Sequence, residues 1–407
     1  MRGQKRNELP PTAGLPLRWS DFVRVPVRSF RQGLRDAFGL PDPVLTCSGT
    51  AAMVVALHTL KQRERNKTEV IVPAYTCPLV PLAVAMVPGL RSVICDTAPG
   101  GIDLDPEKLA GLCNTRTLAI VPTHLGGRVA DSAVARDIGA RHGAAVLEDG
   151  AQALGAVAGG VHVGMAGDAV FFSLAAGKGL TTYEGGILWA QDPALRNELA
   201  DTARRLLRPS PAWTIRRNLE LLGYAALYTP SRLGLVYGRT LRRMLDRGDE
   251  EAAVGDRFTL ADIPLHSLDG FRRRVAANAL ERLPEFLENG AARARKRLSA
   301  LRKLEGVRII TDKPCMRGVW PFFMVLMPGR EQRDRALDML WRAGLGVTRL
   351  FVRILPEYAF LASHIATGQG GFLNARDLAD RMLTITNTHW LEDEEFAYIA
   401  DTLRRSL

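Results

Sequence analysis

Residues 144–152 read A-A-V-L-E-D-G-A-Q, and residues 168–179 read D-A-V-F-F-S-L-A-A-G-K-G. In each stretch a short apolar run is followed at once by polar residues. The first run ends in a carboxylate and an amide, and the second ends in a hydroxyl and a lysine flanked by glycines. Apolar runs without alternation are typical of strands buried on both faces of a mostly parallel sheet. Ligands bind at the carboxyl ends of such strands, so these polar residues mark a candidate site.

The same alternation of apolar runs and helix-like stretches extends from Thr46 to about Arg205, which is the βαβ pattern. The predicted strands cover residues 69–73, 91–96, 117–123, 144–149, 169–174 and 186–190. The predicted helices between them cover residues 51–62, 78–86, 106–112, 132–142 and 193–206. We therefore expect an α/β fold whose mostly parallel sheet is flanked by helices.

The rest of the chain predicts a smaller C-terminal α/β domain. A long helix is expected over 268–304, with Pro284 and Gly290 as interruptions. A strand at 319–327, a helix at 331–343, a strand at 382–386 and a last helix at 392–404 are expected to follow. The predicted division is an N-terminal arm over 1–45, a large domain over 46–206, a basic and apolar insertion over 207–258, and a linking helix with the small domain over 259–407.

Composition excludes several classes of protein. With 407 residues, 47% hydrophobic and 24% charged, the chain is long and apolar enough to fold around a core, so disorder as the main state is excluded. The five cysteines form no C-x-x-C pair and the seven histidines no H-x-x-x-H pattern, so neither a disulfide framework nor a metal site is indicated. No signal sequence and no run of eighteen apolar residues is present, which predicts a cytoplasmic protein.

Positive charge is concentrated in one segment. Of the net charge of +11, residues 204–247 hold ten arginines against two carboxylates, or +8, which leaves +3 for the rest of the chain. A nucleic-acid-binding surface is therefore a weak reading, because Trp213, Tyr224 and Tyr228 lie among apolar residues instead of forming a stacking platform. We expect no nucleic-acid partner.

The polar strand ends suggest one cofactor in particular. The sequence contains no P-loop, no G-x-G-x-x-G after a predicted strand and no G-x-S-x-G, which argues against nucleotide-dependent and serine hydrolase chemistry. Ser48-Gly49-Thr50-Ala51 opens the first predicted helix, where free N–H groups and the helix dipole favour a phosphate. A lysine, a carboxylate and a phosphate cradle are what pyridoxal phosphate (PLP) chemistry requires.

An ordered set of motifs resembles the DegT/DnrJ/EryC1/StrS aminotransferases, the sugar aminotransferase family of fold type I PLP enzymes. The motifs are S-G-T-A-A, V-I-V-P-A-Y-T, C-D-T with L-D-P, V-P-T-H-L-G-G-R-V-A-D, H-G-A-A-V-L-E-D-G-A-Q-A-L-G-A, G-D-A-V-F-F-S-x-x-x-x-K and E-G-G. They cover Thr46 to about Ala203, and 260–304 resembles the following helix more loosely. The resemblance implies a seven-stranded type of sheet.

The resemblance also implies roles for individual residues. Lys178 would bind PLP covalently and carry protons, and Asp149 would pair with the pyridine nitrogen of PLP. Gln152 would hydrogen-bond the ring oxygen, while Ser173, Thr50 and Ala51 would hold the phosphate. Three of these residues also have a purely structural alternative. Lys178 could be a solvated loop lysine, and Asp149 could be a turn or helix N-cap residue. Thr50 could be a helix N-cap, and that role is compatible with holding a phosphate.

Three further residues are weaker candidates for the cofactor site. Many family members have an aromatic residue that stacks on the cofactor ring at the position of Cys77, and here Tyr75 is the nearest aromatic residue. Either residue is therefore a candidate for the stacking position. The alternative for Tyr75 is that it is simply a core residue. His124 follows a predicted strand and is either near the cofactor or a structural histidine.

Two arginines are candidates for a different role. Arg349 and Arg353 could bind a carboxylate or diphosphate, and the alternative is that they are solvated surface arginines.

The function implied is transfer of an amino group from an amino acid, by family likeness glutamate, to a keto group of a nucleotide-linked deoxysugar. The alternative is a PLP-binding regulatory or assembly protein without turnover. The family also implies a homodimer, but the N-x-x-R loop that reaches the partner subunit in many members is not found. In its place 208–247 carries apolar stretches between arginines, which predicts either a hairpin at the surface of an anionic membrane or helices packed on protein.

Overall fold

The strands form where short buried apolar runs are bounded by turns. The computed structural model describes residues 7–366 and 371–407. Its strands are β1 (Val44–Thr46), β2 (Glu69–Pro73), β3 (Arg91–Cys95), β4 (Thr117–Ile120), β5 (Ala145–Asp149), β6 (Val157–Ala158), β7 (Val161–His162), β8 (Ala169–Ser173), β9 (Gly186–Ala190), β10 (Arg308–Ile310), β11 (Met316–Arg317), β12 (Phe322–Leu326), β13 (Val347–Thr348) and β14 (Met382–Thr386).

Helices occupy most of the intervening chain. They are α1 (Trp19–Val23), α2 (Phe30–Phe38), α3 (Gly49–Arg63), α4 (Leu79–Ala85), α5 (Pro106–Leu112), α6 (Ser132–Ala140), α7 (Pro193–Leu206), α8 (Pro211–Leu227), α9 (Pro230–Leu233), α10 (Arg239–Asp246), α11 (Glu250–Val254), α12 (Gly270–Leu280), α13 (Leu283–Leu301), α14 (Arg330–Leu340), α15 (Leu373–Arg381) and α16 (Asp393–Arg405). A π-helical turn, Gly234–Gly238, joins α9 to α10.

The main sheet has seven strands in the order β1-β9-β8-β5-β4-β2-β3. The pairs from β8 to β3 are parallel, and only β9 runs against its neighbours β8 and β1. β2, β4, β8 and β9 are buried along all or nearly all of their length, as strands covered on both faces must be. This architecture confirms the predicted α/β fold with a mostly parallel seven-stranded sheet.

Local capping signals explain why several predicted boundaries are accurate. α5 and α7 both begin with a proline that follows an aspartate, and the carboxylates of Asp105 and Asp192 accept hydrogen bonds from N–H groups of the first turn. The predicted strand at 117–123 ends earlier, at Ile120. Pro122 has no N–H to donate to the ladder, although its carbonyl accepts a hydrogen bond from Asp149.

The C-terminal part forms a second sheet of four antiparallel strands, in the order β10-β12-β14-β13. The helix expected over 268–304 is interrupted beside Pro284, as predicted: the chain forms α12 and α13 with a break at Glu281 and Arg282. The interruption predicted at Gly290 is wrong, because Gly290 lies inside α13. Pro284 lies in the first turn of α13, and a proline can neither donate to nor fit beside the carbonyl four residues earlier.

The segment that replaces the family's loop is helical throughout much of its length, from α8 to α11. One side packs on the protein, where Leu221 contacts a small core cluster with Phe22 and Val275. The other side leaves four large apolar residues exposed: Ile215, Leu219, Leu235 and Val236. Within the described ranges, no helix combines the length and the apolar character needed to cross a bilayer.

Candidate active site

The carboxyl ends of β5 and β8 meet the first turn of α3 around one cavity. β5 and β8 are parallel neighbours, so Asp149 and Ser173, their last residues, lie at the same sheet edge. The cavity has a volume of about 190 Å³. Seven of the nine candidate cofactor-site residues line it: Thr50, Cys77, His124, Asp149, Gln152, Ser173 and Lys178. Ala51 and Tyr75 do not.

Lys178 lies on a tight loop after β8. Gly177 has a φ of 79°, a left-handed conformation that favours glycine, and the N–H of Lys178 donates to the carbonyl of Ala175 at 3.1 Å. Burial lowers the pKa of the Lys178 amine, and the negative charge of Asp149 acts in the opposite direction. A larger fraction of this amine is therefore neutral, and so nucleophilic, than in a solvated lysine.

Asp149 is 4% exposed, and its Oδ1 accepts a hydrogen bond from the N–H of Ala151 at 3.0 Å. Burial raises the pKa of its carboxyl, while the Ala151 N–H and the charge of Lys178 act to lower it. The negative charge of a carboxylate held in this way is stabilised by a cation placed in the cavity. A protonated pyridine nitrogen is such a cation.

Gln152 has only one end of its amide engaged by a described hydrogen bond. The N–H of Gly126 donates to Oε1 of Gln152 at 2.6 Å. This bond fixes which end of the amide is the oxygen, so the NH₂ group is the end available to donate to a ligand in the cavity. Gln152 is thus suited to an acceptor such as a ring oxygen.

The phosphate end of the predicted site depends on close approach between α3 and β8. A Cβ on Gly49 would lie 3.0 Å from Cβ of Ser173, so only glycine lets the helix start beside this hydroxyl without displacement. Thr50 lies in the first turn of α3, where N–H groups lack partners within the helix. Ala51 differs from the other predicted phosphate ligands, because its N–H donates to Oγ of Ser48 at 3.0 Å and it lies outside the cavity.

His124 is fixed in one tautomer by a buried network. The N–H of Ala130 donates to Nδ1 at 2.9 Å, so Nε2 carries the proton and donates to Glu148 Oε2 at 2.9 Å. Glu148 also accepts from Oγ of Ser132 and from the N–H of Gly167. Both ring nitrogens of His124 are therefore occupied, and the face of the ring is what remains for a ligand.

The two candidates for the ring-stacking position separate in the structure. Tyr75 is buried in the core, where its hydroxyl lies 3.3 Å from the carbonyl of Phe351 and its ring meets that of Phe351 edge to face. Cys77 lines the cavity, and burial raises the pKa of its thiol to about 12, so it is a neutral, largely apolar group there.

Phe351 and Thr76 line the cavity but were not predicted from the sequence. Phe351 comes from the C-terminal part of the chain, and no sequence motif indicates that it lines the cavity. Thr76 stands between the two candidates Tyr75 and Cys77, and its Oγ1 lies 3.4 Å from that of Thr123. The only signal for Thr76 was its polar side chain in the loop that follows the buried strand β2, three residues after Pro73.

Arg349 and Arg353 do not line this cavity. Arg349 pairs with Glu250 at 2.6 Å and donates to two backbone carbonyls, and Arg353 pairs with Glu251 at 2.7 Å. Both arginines therefore attach α11 to the C-terminal part of the chain.

A family model confirms the resemblance of the motifs. The model of the DegT/DnrJ/EryC1/StrS aminotransferase family matches residues 24–211 and 268–404. The chain belongs to this family. The two matched ranges leave 212–267 between them, which contains most of the helical insertion.

Two curated relatives of this family member are similar over part of the chain. GDP-perosamine synthase of Caulobacter vibrioides is 33% identical over 190 residues, which is 47% of this chain and 49% of that protein. L-glutamine:2-deoxy-scyllo-inosose aminotransferase of Streptomyces fradiae is 36% identical over 182 residues, or 44% of this chain and 40% of that protein. The chain thus spans half or less of the length of these relatives.

Solved structures share the whole fold. S. venezuelae DesV in complex with a ketimine intermediate has a TM-score of 0.68 and 24% identity, and the match covers 95% of this chain and 91% of DesV. The PLP form of Spr1654 from Streptococcus pneumoniae has a TM-score of 0.75 and 16% identity, with 98% of each chain covered. The fold type I architecture therefore extends over at least 95% of the chain.

Proposed function

We propose that this family member is a PLP-dependent aminotransferase that moves the amino group of an amino acid to a keto group of a nucleotide-linked deoxysugar. The observation that carries the proposal is the convergence of Lys178, Asp149, Gln152 and Ser173 on one cavity at the carboxyl edge of the sheet. The donor set fits PLP, because it offers an amine, a buried carboxylate, an amide NH₂ and a hydroxyl beside a helix N-terminus.

Each of these residues would hold one part of the cofactor. Lys178 would bind its aldehyde carbon, Asp149 its pyridine nitrogen and Gln152 its ring oxygen, while Ser173 and Thr50 would bind its phosphate. When bound, PLP withdraws electrons from the substrate carbon that carries the amino group. Asp149 favours this chemistry by keeping a positive charge at the ring nitrogen.

Lys178 is also the group that moves protons. With PLP held in this cavity, Nζ of Lys178 would lie near the reacting carbon, because the residues that would hold PLP line the same cavity as Lys178. Its lowered pKa keeps Nζ unprotonated more often than a free lysine, so it accepts the proton that leaves the donor's carbon. In the second half of the reaction it returns a proton to the carbon of the acceptor.

The names of the relatives support a cyclic keto acceptor and a glutamate-like donor. One relative makes GDP-perosamine, and the other uses L-glutamine to aminate an inosose.

A single-turnover experiment separates an enzyme from a cofactor-binding regulator. PLP-loaded protein is mixed with excess glutamate or glutamine without an acceptor, and the visible absorption is followed. We expect the visible band to disappear with at least one of the two amino acids. Lys178→Ala should show no such change, while the control Lys296→Ala, at an exposed lysine, should behave as the wild type. If no amino acid tested changes the visible band, the result supports a PLP-binding regulatory protein without turnover.

A homodimer is the assembly that we infer. The N-terminal region exposes four large apolar side chains close together in sequence, Trp19, Val23, Val25 and Val27, the last three of them more than 75% exposed. Contiguous exposed apolar residues of this kind mark interaction surfaces. Analytical ultracentrifugation should give a dimer, and Val25→Asp should weaken it; a monomer at micromolar concentration contradicts the inference.

Peripheral contact of 208–247 with an anionic membrane is the second part of the assembly proposal. The exposed apolar residues Ile215, Leu219, Leu235 and Val236 lie between exposed arginines. Basic residues near an anionic lipid surface contribute about 1 kcal/mol each. Vesicles with anionic lipid should sediment the protein at low salt, and the double variant Leu219→Ser, Leu235→Ser should stay in the supernatant. The control is Leu373→Ser, because Leu373 is similarly exposed but lies outside the segment. If the wild type, the double variant and the control all bind vesicles equally, the helices of 208–247 only pack on protein and the membrane proposal is wrong.

A further inference from the structure

The N-terminal arm crosses the loop that carries Lys178. Oγ1 of Thr12 donates a hydrogen bond to the carbonyl of Gly177 at 2.7 Å, and the N–H of Leu15 donates to the carbonyl of Gly179 at 2.9 Å. These two bonds lie on either side of Lys178 in the sequence. The arm therefore holds the backbone on both sides of the lysine.

The peptide group between Gly177 and Lys178 is held at both of its ends. Its N–H donates to the carbonyl of Ala175, and its carbonyl oxygen accepts from Thr12. A peptide group is planar, so fixing both its N–H and its C=O fixes its orientation. The Cα of Lys178 lies in the same plane, so the position from which its side chain starts is fixed with it.

Close approach of the arm requires glycine at two positions. A Cβ on Gly177 would lie 2.7 Å from Oγ1 of Thr12, and a Cβ on Gly14 would lie 2.9 Å from the carbonyl oxygen of Lys178. At Gly14 the arm packs on the backbone of the lysine loop, and at Gly177 the loop backbone packs directly on the Thr12 hydroxyl.

The arm is held in turn by the helical insertion. The hydroxyl of Tyr228, at the end of α8, lies 3.3 Å from the carbonyl of Thr12 and donates to it. Farther along the arm, the buried Glu8 pairs with Arg242 of α10 at 2.7 Å. Hydrogen bonds therefore connect the insertion to Thr12, and Thr12 to the peptide group of Lys178.

We propose that Thr12 is a positioning residue for Lys178, and that Tyr228 supports it from the insertion. The inference rests on the proposed role of Lys178 as the residue that binds the cofactor. The lysine amine lies at the end of a long flexible side chain, so a rotation of its peptide group changes where the amine points in the cavity. Thr12 opposes that rotation through its hydroxyl, although it does not itself line the cavity.

The first measurement needs no cofactor. Hydrogen exchange is compared for the peptide spanning 174–183 in the wild type, Thr12→Val, Thr12→Ser and the control Thr402→Val, which removes a similar buried hydroxyl bond in α16. Loss of one hydrogen bond should speed exchange in this peptide about threefold to tenfold in Thr12→Val. Thr12→Ser, which keeps the hydroxyl, should restore the wild-type rate, and Thr402→Val should leave this peptide unchanged.

The second measurement reports on the amine itself. The dissociation constant for PLP and the pH midpoint of its visible band are measured for the same four proteins and for Tyr228→Phe. We expect Thr12→Val to weaken binding about threefold to tenfold and to shift the midpoint, with rescue by Thr12→Ser. Tyr228→Phe should shift both values in the same direction by a smaller amount.

The outcomes separate the proposal from the function on which it rests. Faster exchange with unchanged PLP affinity and midpoint makes Thr12 a merely structural residue and overturns the proposal. Exchange and affinity both equal to those of the wild type overturn it as well. If the wild type binds no PLP, the proposed function is wrong. Hydrogen exchange still tests the contact between Thr12 and the Lys178 loop in that case, and unchanged exchange in Thr12→Val would show that this contact does not hold the loop.

Discussion

Replacing Glu148 by glutamine should destabilise the cofactor-free protein strongly. Glu148 is 1% exposed, and its two oxygens accept hydrogen bonds from His124, Ser132 and Gly167. Glutamine keeps one oxygen but places an NH₂ group at the other position. Because Nε2 of His124 carries a proton, two donors then face each other in a site that water does not reach.

The magnitude follows from those contacts. A buried donor left unsatisfied costs about 1–3 kcal/mol, and a hydrogen bond to a charged group contributes about 1.5–3 kcal/mol. Allowing for partial relaxation, we expect a loss of about 2–5 kcal/mol in the free energy of unfolding at pH 7. The exposed pair of Glu198 with Arg63 offers a control, since Glu198→Gln should cost no more than about 1 kcal/mol.

The pH dependence gives a second, independent sign. Burial acts to raise the pKa of Glu148, but the hydrogen bonds from His124, Gly167 and Ser132 outweigh it and hold the pKa below its ordinary value. A carboxyl with a lowered pKa in the folded state contributes stability above its unfolded pKa of about 4.3, and this contribution is lost as the pH falls. The difference between wild type and Glu148→Gln should therefore shrink below about pH 4.

Urea unfolding followed by circular dichroism at pH 7 and at pH 3 measures both effects. The reasoning is refuted if Glu148→Gln costs no more than Glu198→Gln at pH 7. It is refuted as well if the cost of Glu148→Gln is the same at both pH values.

Three further changes test the site. Asp149→Ala should slow both half-reactions at least about a hundredfold, because the charge at the ring nitrogen is lost; near-normal rates in stopped-flow absorbance would mean that another carboxylate has this role. Gly49→Ala should lower the free energy of unfolding by about 1–3 kcal/mol, because the new Cβ would press on Ser173. Gly223→Ala should raise the free energy of unfolding by up to about 1 kcal/mol, because Gly223 is helical and has open space around it. Equal effects of the two glycine variants in thermal unfolding would contradict this packing. Gln152→Glu keeps the acceptor for Gly126 but loses the NH₂ donor, so spectrophotometric titration should show PLP affinity falling about tenfold; unchanged affinity would remove Gln152 from the site.

Much of the sheet could be predicted because its signals are local. The strands 69–73 and 186–190 and the helices 106–112 and 193–206 have the predicted bounds, since buried runs, proline starts and aspartate caps all act within a few residues. The convergence of Asp149 and Ser173 follows from topology, because carboxyl ends of neighbouring parallel strands share one edge.

Long-range packing decided what local patterns could not. Residues 75 and 77 were equal candidates for the cofactor ring, and only the position of Phe351, some 275 residues away, places the Tyr75 ring in the core. The insertion was equally ambiguous, because its apolar residues divide between a buried side with Leu221 and an exposed side with Leu219. No short-range pattern distinguishes a side chain that meets its own core from one that faces outward.

Covalent trapping of the cofactor tests the central claim most directly. The protein is incubated with PLP, reduced with borohydride, digested and analysed by mass spectrometry, in parallel with Lys178→Ala. We predict a visible absorption band before reduction and a cofactor-derived mass on the peptide that contains Lys178, with neither in the variant. A protein that shows no visible band after incubation with PLP, or that carries the label on a different lysine, would contradict the assignment of this cavity as the active site.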